Sequence, residues 1–268
     1  MPAPVLVSAG MIQRRMRTQA EWERAWLDRP EIPTLALDLL DDALLDPREA
    51  FAGAIGFLAG ALERHDFVLF RNGGIPLLER HGGPLRQELL VRMGPHPVRG
   101  AVIPLTIQLH VSHTGLRDIR ERYWPVMGHI PTSIAGGNIG LLQPIPTHDV
   151  WNVAGDRALS DLRENLETYL LPYLDILEDP RALKRALYDD GLPLIDQATA
   201  TELLLHEYGR GEAREYLEEM VLGDPELRDR FDAIYRDLSS VASLHYQPGE
   251  PLRNVAVIAR AHRVLSRR

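Results

Sequence analysis

The sequence contains no cysteine in 268 residues. That excludes disulfides, thiolate nucleophiles and cysteine-ligated zinc. Lysine is almost as scarce: Lys184 stands alone beside 29 arginines. Schiff-base chemistry is thereby removed from nearly the whole chain. Long hydrophobic runs are missing too. The longest mostly apolar stretch, residues 51–62, is broken by Gly53, Gly56 and Gly60, so no membrane span is expected. At the N-terminus apolar residues precede Arg14, Arg15 and Arg17, the reverse of an export signal, and the expected location is cytoplasmic.

Familiar catalytic and cofactor signatures are also absent. There is no GxSxG elbow, no Walker or GxGxxG loop and no HExxH pair. Of the ten histidines, His110 and His113 lie three apart on an expected strand and so face opposite ways. His65, His129 and His148 fall in loops or at element ends. The expectation is no metal site, no metal requirement for folding and no cofactor. Adjacent acids such as Asp41-Asp42, Asp189-Asp190 and Glu218-Glu219 diverge on a helix and read as solvated surface.

What the sequence does contain is an ordinary globular balance, 45% hydrophobic and 25% charged, with a net charge of −8. The charge is unevenly divided. Residues 161–250 hold 21 acids and nine bases, net −12, and the remainder holds 17 acids and 21 bases, net +4. The acidic half is poorly suited to phosphate contacts.

Asp-Pro pairs at Asp46-Pro47, Asp179-Pro180 and Asp224-Pro225 predict helix starts. The carboxylate accepts free first-turn donors, and proline fits where its missing N–H has no partner. Helical spacing of Phe51, Ile55, Leu58 and Leu62 predicts a helix over 47–64, whose three glycines suggest a closely packed neighbour. Another helix is expected around residues 19–27, with Trp22 and Trp26 on one edge. Strands are predicted at 67–70, 85–93, 102–113, 133–139 and 150–153, with a short helix over 114–124. From Arg157 the chain reads as helical, kinked at Pro172, with helices near 180–189, 197–208, 212–222 and 225–243 and glycine stops at Gly209 and Gly223. The order is that of an α+β protein: a small antiparallel sheet with flanking helices in residues 1–155, then an all-helical part over 156–268. The two parts are compatible with one continuous domain.

Strand 102–113 alternates strictly. Its apolar face is Ile103, Leu105, Ile107, Leu109 and Val111; its polar face is Thr106, Gln108, His110 and Ser112. With Arg86, Glu88 and Arg92 on the neighbouring strand, this face is the candidate binding surface, and it is not expected to be fully buried. A hydrolase or transferase would instead gather His110, Gln108, Arg86 and His148 into a cleft between sheet and helices. The C-terminal segment places Arg253, Arg260, Arg263 and Arg267 in one quadrant of a helical wheel and Val255, Ile258, His262 and Leu265 opposite. This basic amphipathic helix is expected to pack on the body with its arginines near the acidic helices. Nucleic-acid binding through the same arginines is the rival use.

The run from Leu62 to Arg71, with Gln87, then Ile107-Gln108-Leu109-His110-Val111, then Asn138-Ile139-Gly140 and Trp151, resembles certain uncharacterised bacterial α+β families across residues 47–180. The resemblance implies the fold and a protein-binding role, in families some of whose members lie beside toxin–immunity or defence genes. It transfers no catalytic residue. On these grounds the expected function is a non-catalytic cytoplasmic accessory protein. Its partner would meet the polar sheet face or the acidic helical surface.

Overall fold

Helix α1 (Pro47–Glu63) opens the computed structural model, which describes residues 46–265 other than 73, 100, 125–129, 155, 190, 241–243 and 248. Strands β1 (Val68–Asn72), β2 (Ile75–Gly82), β3 (Leu85–Met93) and β4 (Pro104–His113) follow, then helix α2 (Leu116–Arg120) and β5 (Ser133–Asn138). A 3-10 turn (Ile139–Leu142) leads to the short β6 (Trp151–Asn152). The remainder is helical: α3 (Asp156–Asn165), α4 (Leu171–Glu178), α5 (Pro180–Asp189), α6 (Gln197–Tyr208), α7 (Arg210–Tyr216), α8 (Pro225–Asp237) and α9 (Pro251–Ala261). The fold is α+β. Ala43–Arg268 forms one compact unit with a continuous buried core. The helix expected around 19–27, with Trp22 and Trp26, lies outside the described residues, as do Asp41-Asp42, His129 and Arg267.

Each expected Asp-Pro cap is made. Asp46 accepts from the Arg48 N–H at 2.9 Å, Asp179 from Arg181 at 2.9 Å and Asp224 from Glu226 at 2.8 Å. Pro172 acts through a local π-helix (Leu166–Leu170) joining α3 to α4. The Leu171 N–H reaches back five residues to the Leu166 carbonyl, which widens the turn where the proline ring would crowd the carbonyl four residues before it. The glycines of α1 correct the expectation placed on them. A Cβ at Gly53, Gly56 or Gly60 meets nothing within 4 Å among the described residues, because all three occupy the exposed side of the helix.

The sheet runs β1-β2-β3-β4-β5 and is antiparallel throughout, with β6 pairing the start of β4. Strand β2 has no counterpart among the predicted strands. Its Pro76-Leu77-Leu78 run breaks alternation because both leucines are buried, Leu78 in the core and Leu77 between its cross-strand neighbours Phe70 and Leu90. Gly83, at φ +57°, and Pro84 turn β2 into β3 in the manner of a type II′ hairpin. On the inner face Leu85, Leu89, Val91, Ile103, Leu105, Ile107, Leu109 and Val111 are all at most 3% exposed. Gln87 shares this face and is buried with Arg80: Arg80 Nε donates to Gln87 Oε1 at 2.9 Å, and Gln87 Nε2 donates to Glu178 at 2.7 Å. Gly82 leaves room for Glu178, whose Oε1 would be 2.3 Å from a Cβ there.

Helix α9 departs most from expectation. Val255, Ile258 and His262 are buried as foreseen, but so are Leu252, Asn254, Ala256, Val257 and Ala259. It is a core helix packed between α6 and α8 rather than a surface helix with one wet quadrant. Its arginines are correspondingly occupied. The Arg260 guanidinium lies 5.4 Å from the Tyr235 ring centre and reaches the Tyr235 carbonyl at 3.5 Å, capping the end of α8. Arg253 sits 3.6 Å from Glu250 at the start of its own helix. The contacts of Arg253 and Arg260 are thus local ones, at the start of their own helix and at the end of α8.

Candidate functional site

The outer face of the sheet gathers the predicted binding residues. Antiparallel register sets Glu88 opposite His110, Arg86 opposite Ser112, Arg92 opposite Thr106 and Leu90 opposite Gln108. His110, Arg86 and Arg92 are exposed, Thr106 and Gln108 half-buried. Ser112 is buried, because a bulge between Val111 and Ser112 shifts the register against β5 at that point. The face therefore remains open to solvent over most of its length.

A charge ladder crosses it. His81 contacts Glu79; Arg86 donates to both Glu79 oxygens at 2.8 and 3.0 Å; Arg86 also lies 3.0 Å from Glu88; and Glu88 meets His110 Nδ1 at 2.9 Å. The Arg86 hydrogen bonds hold the Glu79 carboxyl below its ordinary range despite partial burial. Arg86 and His110 are thus tied to carboxylates on an open surface. His148 is exposed in the loop following the 3-10 turn.

Beside the ladder lies an apolar margin. Val68, Leu69 and Phe70 of β1 are 54%, 37% and 50% exposed, and Ile75 is 39% exposed. Among the described residues β1 is the terminal strand of the sheet. Large apolar residues along a free edge present both a sticky surface and unpaired backbone groups.

Two further clusters form where the sheet meets the helices. The first is a buried clamp. Arg120, at the end of α2, donates Nε to both oxygens of Glu202 on α6 at 3.1 Å, and Nη2 to Oε2 at 2.6 Å. Its Nη1 donates to the Pro131 and Ser133 carbonyls at 2.8 and 2.9 Å, and the Tyr123 hydroxyl donates to Glu202. Arg120, Tyr123 and Glu202 are each at most 5% exposed. Burial and the neighbouring Glu202 charge push the Tyr123 hydroxyl far above its usual range, so it stays a donor.

The second cluster sits at the end of β4. His113 meets His206 and Glu207 from the last turn of α6, and the two imidazoles stand edge to face with centres 5.0 Å apart. Burial first, then the neighbouring His206, lowers the His113 pKa, with Glu207 opposing. Sequence reasoning missed this group because it compared histidines close along the chain, whereas a strand end and a helix end assemble it. His110, paired with His113 by proximity in sequence, points to the other face.

His262, beneath Tyr123, shows the same burial effect. Its Nε2 donates to the Ile119 carbonyl at 3.0 Å, its ring is edge-on to Tyr123, and burial followed by the Arg122 and Arg210 charges lowers its pKa. Below about pH 6.5 the unfolded chain binds a proton at His262 and at His113 that the folded chain resists. Stability present above that pH is therefore lost as the pH falls toward the depressed folded values. Urea midpoints measured between pH 7.5 and pH 5 should decline, and His262→Gln, which keeps a donor for Ile119, should decline less.

No protein-family model, curated protein or solved structure matches the chain.

Proposed function

We propose that this chain is a non-catalytic binding protein that takes up an extended segment of a protein partner along the free edge of β1. The observation carrying this reading is the exposed apolar run Val68-Leu69-Phe70 on the terminal strand. In the β1–β2 hairpin, Asn72 pairs with Ile75 across a two-residue loop. Hydrogen-bonded pairs alternate from that point, so Asn72, Phe70 and Val68 bond to β2 while the backbone groups of Leu69 and Arg71 face outward. An added strand would satisfy those groups and cover Val68 and Phe70. The adjoining ladder of Glu79, Arg86, Glu88 and His110, with Thr106, Gln108 and Arg92 beyond it, would act on partner choice more than on affinity. A cytoplasmic accessory role in a bacterium, of the immunity or defence kind, belongs to the same proposal and rests on the resemblance read from the sequence alone. No helix among the described residues is long and apolar enough to cross a membrane.

Selection from a displayed random-peptide library tests the proposal. Enriched peptides should alternate apolar and polar residues. Arg71→Pro removes an outward N–H without removing a hairpin bond, so it should weaken those peptides about tenfold or more while leaving the melting temperature nearly unchanged. Equal binding to the variant would refute the edge reading, as would failure to enrich any such peptide. A dimer that Arg71→Pro dissociates would assign the edge to a second copy instead of a partner.

A further inference from the structure

The cluster at the end of β4 has the dimensions of a ligand shell. Glu207 Oε1 stands 3.4 Å from His113 Nε2 and 3.6 Å from His206 Nε2, and one ligand atom from each residue lies within 4.8 Å of the others. Both distances are long for a charge-assisted hydrogen bond, which runs about 2.7–2.9 Å. They suit ligands around one ion, since metal–ligand bonds of about 2.0–2.1 Å at the tetrahedral angle put neighbouring ligand atoms about 3.3–3.4 Å apart.

A second observation points the same way. The His113 side chain is only 5% exposed, and its Nδ1 is buried without a hydrogen-bond partner. Coordination through Nε2, whose contact to the Glu207 oxygen is a long 3.4 Å, would offset part of the cost of burying the ring, while Nδ1 stays unpartnered. The surroundings favour a cation as well. His206 and Glu207 lie in the last turn of α6, where the carbonyl end of the helix dipole is negative. Gly115 keeps the space clear, because a Cβ there would stand 2.4 Å from His206 Nε2.

We propose that His113, His206 and Glu207 bind one divalent transition-metal ion of the zinc class, with water completing its coordination. Two imidazoles and one carboxylate suit zinc, cobalt or nickel better than magnesium or calcium, which take oxygen ligands. His206 and Glu207 side chains are 34% and 27% exposed, so the remaining position opens toward solvent. Metal binding at this site is independent of partner capture at the β1 edge.

The full chain, stripped with a chelator, should be titrated calorimetrically with zinc and followed in the visible region with cobalt. The expected result is one tightly bound ion per chain and cobalt absorption bands of a low-coordinate nitrogen–oxygen site. His206→Ala and Glu207→Gln should each weaken binding by about 100-fold or more and remove those bands. Both side chains are partly exposed, so circular dichroism and melting of the metal-free variants should match the wild type. Gly115→Ala should weaken binding with every ligand retained, whereas His81→Ala, at an exposed histidine elsewhere, should not. The proposal is overturned if the wild type binds no zinc at about 0.1 mM, or if His206→Ala binds it equally well.

Discussion

Glu202→Ala is expected to destabilise the protein by about 3–5 kcal/mol, a large share of the total stability of a typical domain. The residue is 1% exposed and holds three donor groups: two nitrogens of Arg120 and the Tyr123 hydroxyl. Removing it leaves the buried guanidinium with only the Pro131 and Ser133 carbonyls and leaves the Tyr123 hydroxyl without its partner. The cost comes from the uncompensated charge rather than from the strength of the pair itself. Replacing the group together, Arg120→Met with Tyr123→Phe and Glu202→Leu, should therefore recover most of the loss. Urea denaturation of both variants decides the matter. A cost below about 1 kcal/mol for Glu202→Ala would mean that the clamp is wet, as exposed pairs are.

Ile258→Asp should be at least as damaging, because it places a carboxylate at a fully buried position of α9. Even Ile258→Ala should cost about 2–5 kcal/mol from lost burial and the cavity left behind. Ile258→Asp adds the penalty of an unpaired buried charge or of its protonation. By contrast, glutamine at Arg253, Arg260, Arg263 and Arg267 together should cost far less. Arg260 loses a ring contact and a long carbonyl contact, and Arg253 loses a 3.6 Å partner that is itself exposed. Exposed ion pairs contribute about 0–1 kcal/mol each. The same glutamine variant tests the rival use of these arginines. Steeply salt-dependent RNA binding by the wild type, lost in the variant, would restore a nucleic-acid role. Its absence would leave them as local packing and capping groups.

Local chemistry by itself determined much of this protein. Asp46, Asp179 and Asp224 stop chains of unpaired backbone donors whatever lies around them, so three helix starts were readable directly. Strict alternation along β4 likewise determined which residues meet the core, since a strand's side chains can only alternate. It brought Thr106, Gln108, His110, Arg86 and Arg92 to one open face, and only the bulge at Ser112 altered the pattern. Other features depended on neighbours distant in sequence. Whether Leu77 faces water was decided by Phe70 and Leu90 beside it, and whether α9 is a surface or a core helix was decided by α6 and α8 packing around it. The glycines of α1 told nothing of their surroundings, because a missing Cβ is compatible with crowding and with open solvent alike. The His113, His206 and Glu207 cluster and the Arg120–Glu202 clamp belong wholly to tertiary structure. Each joins the sheet region to α6 across a long stretch of chain, and periodicity within one element carries no information about which other element will lie against it.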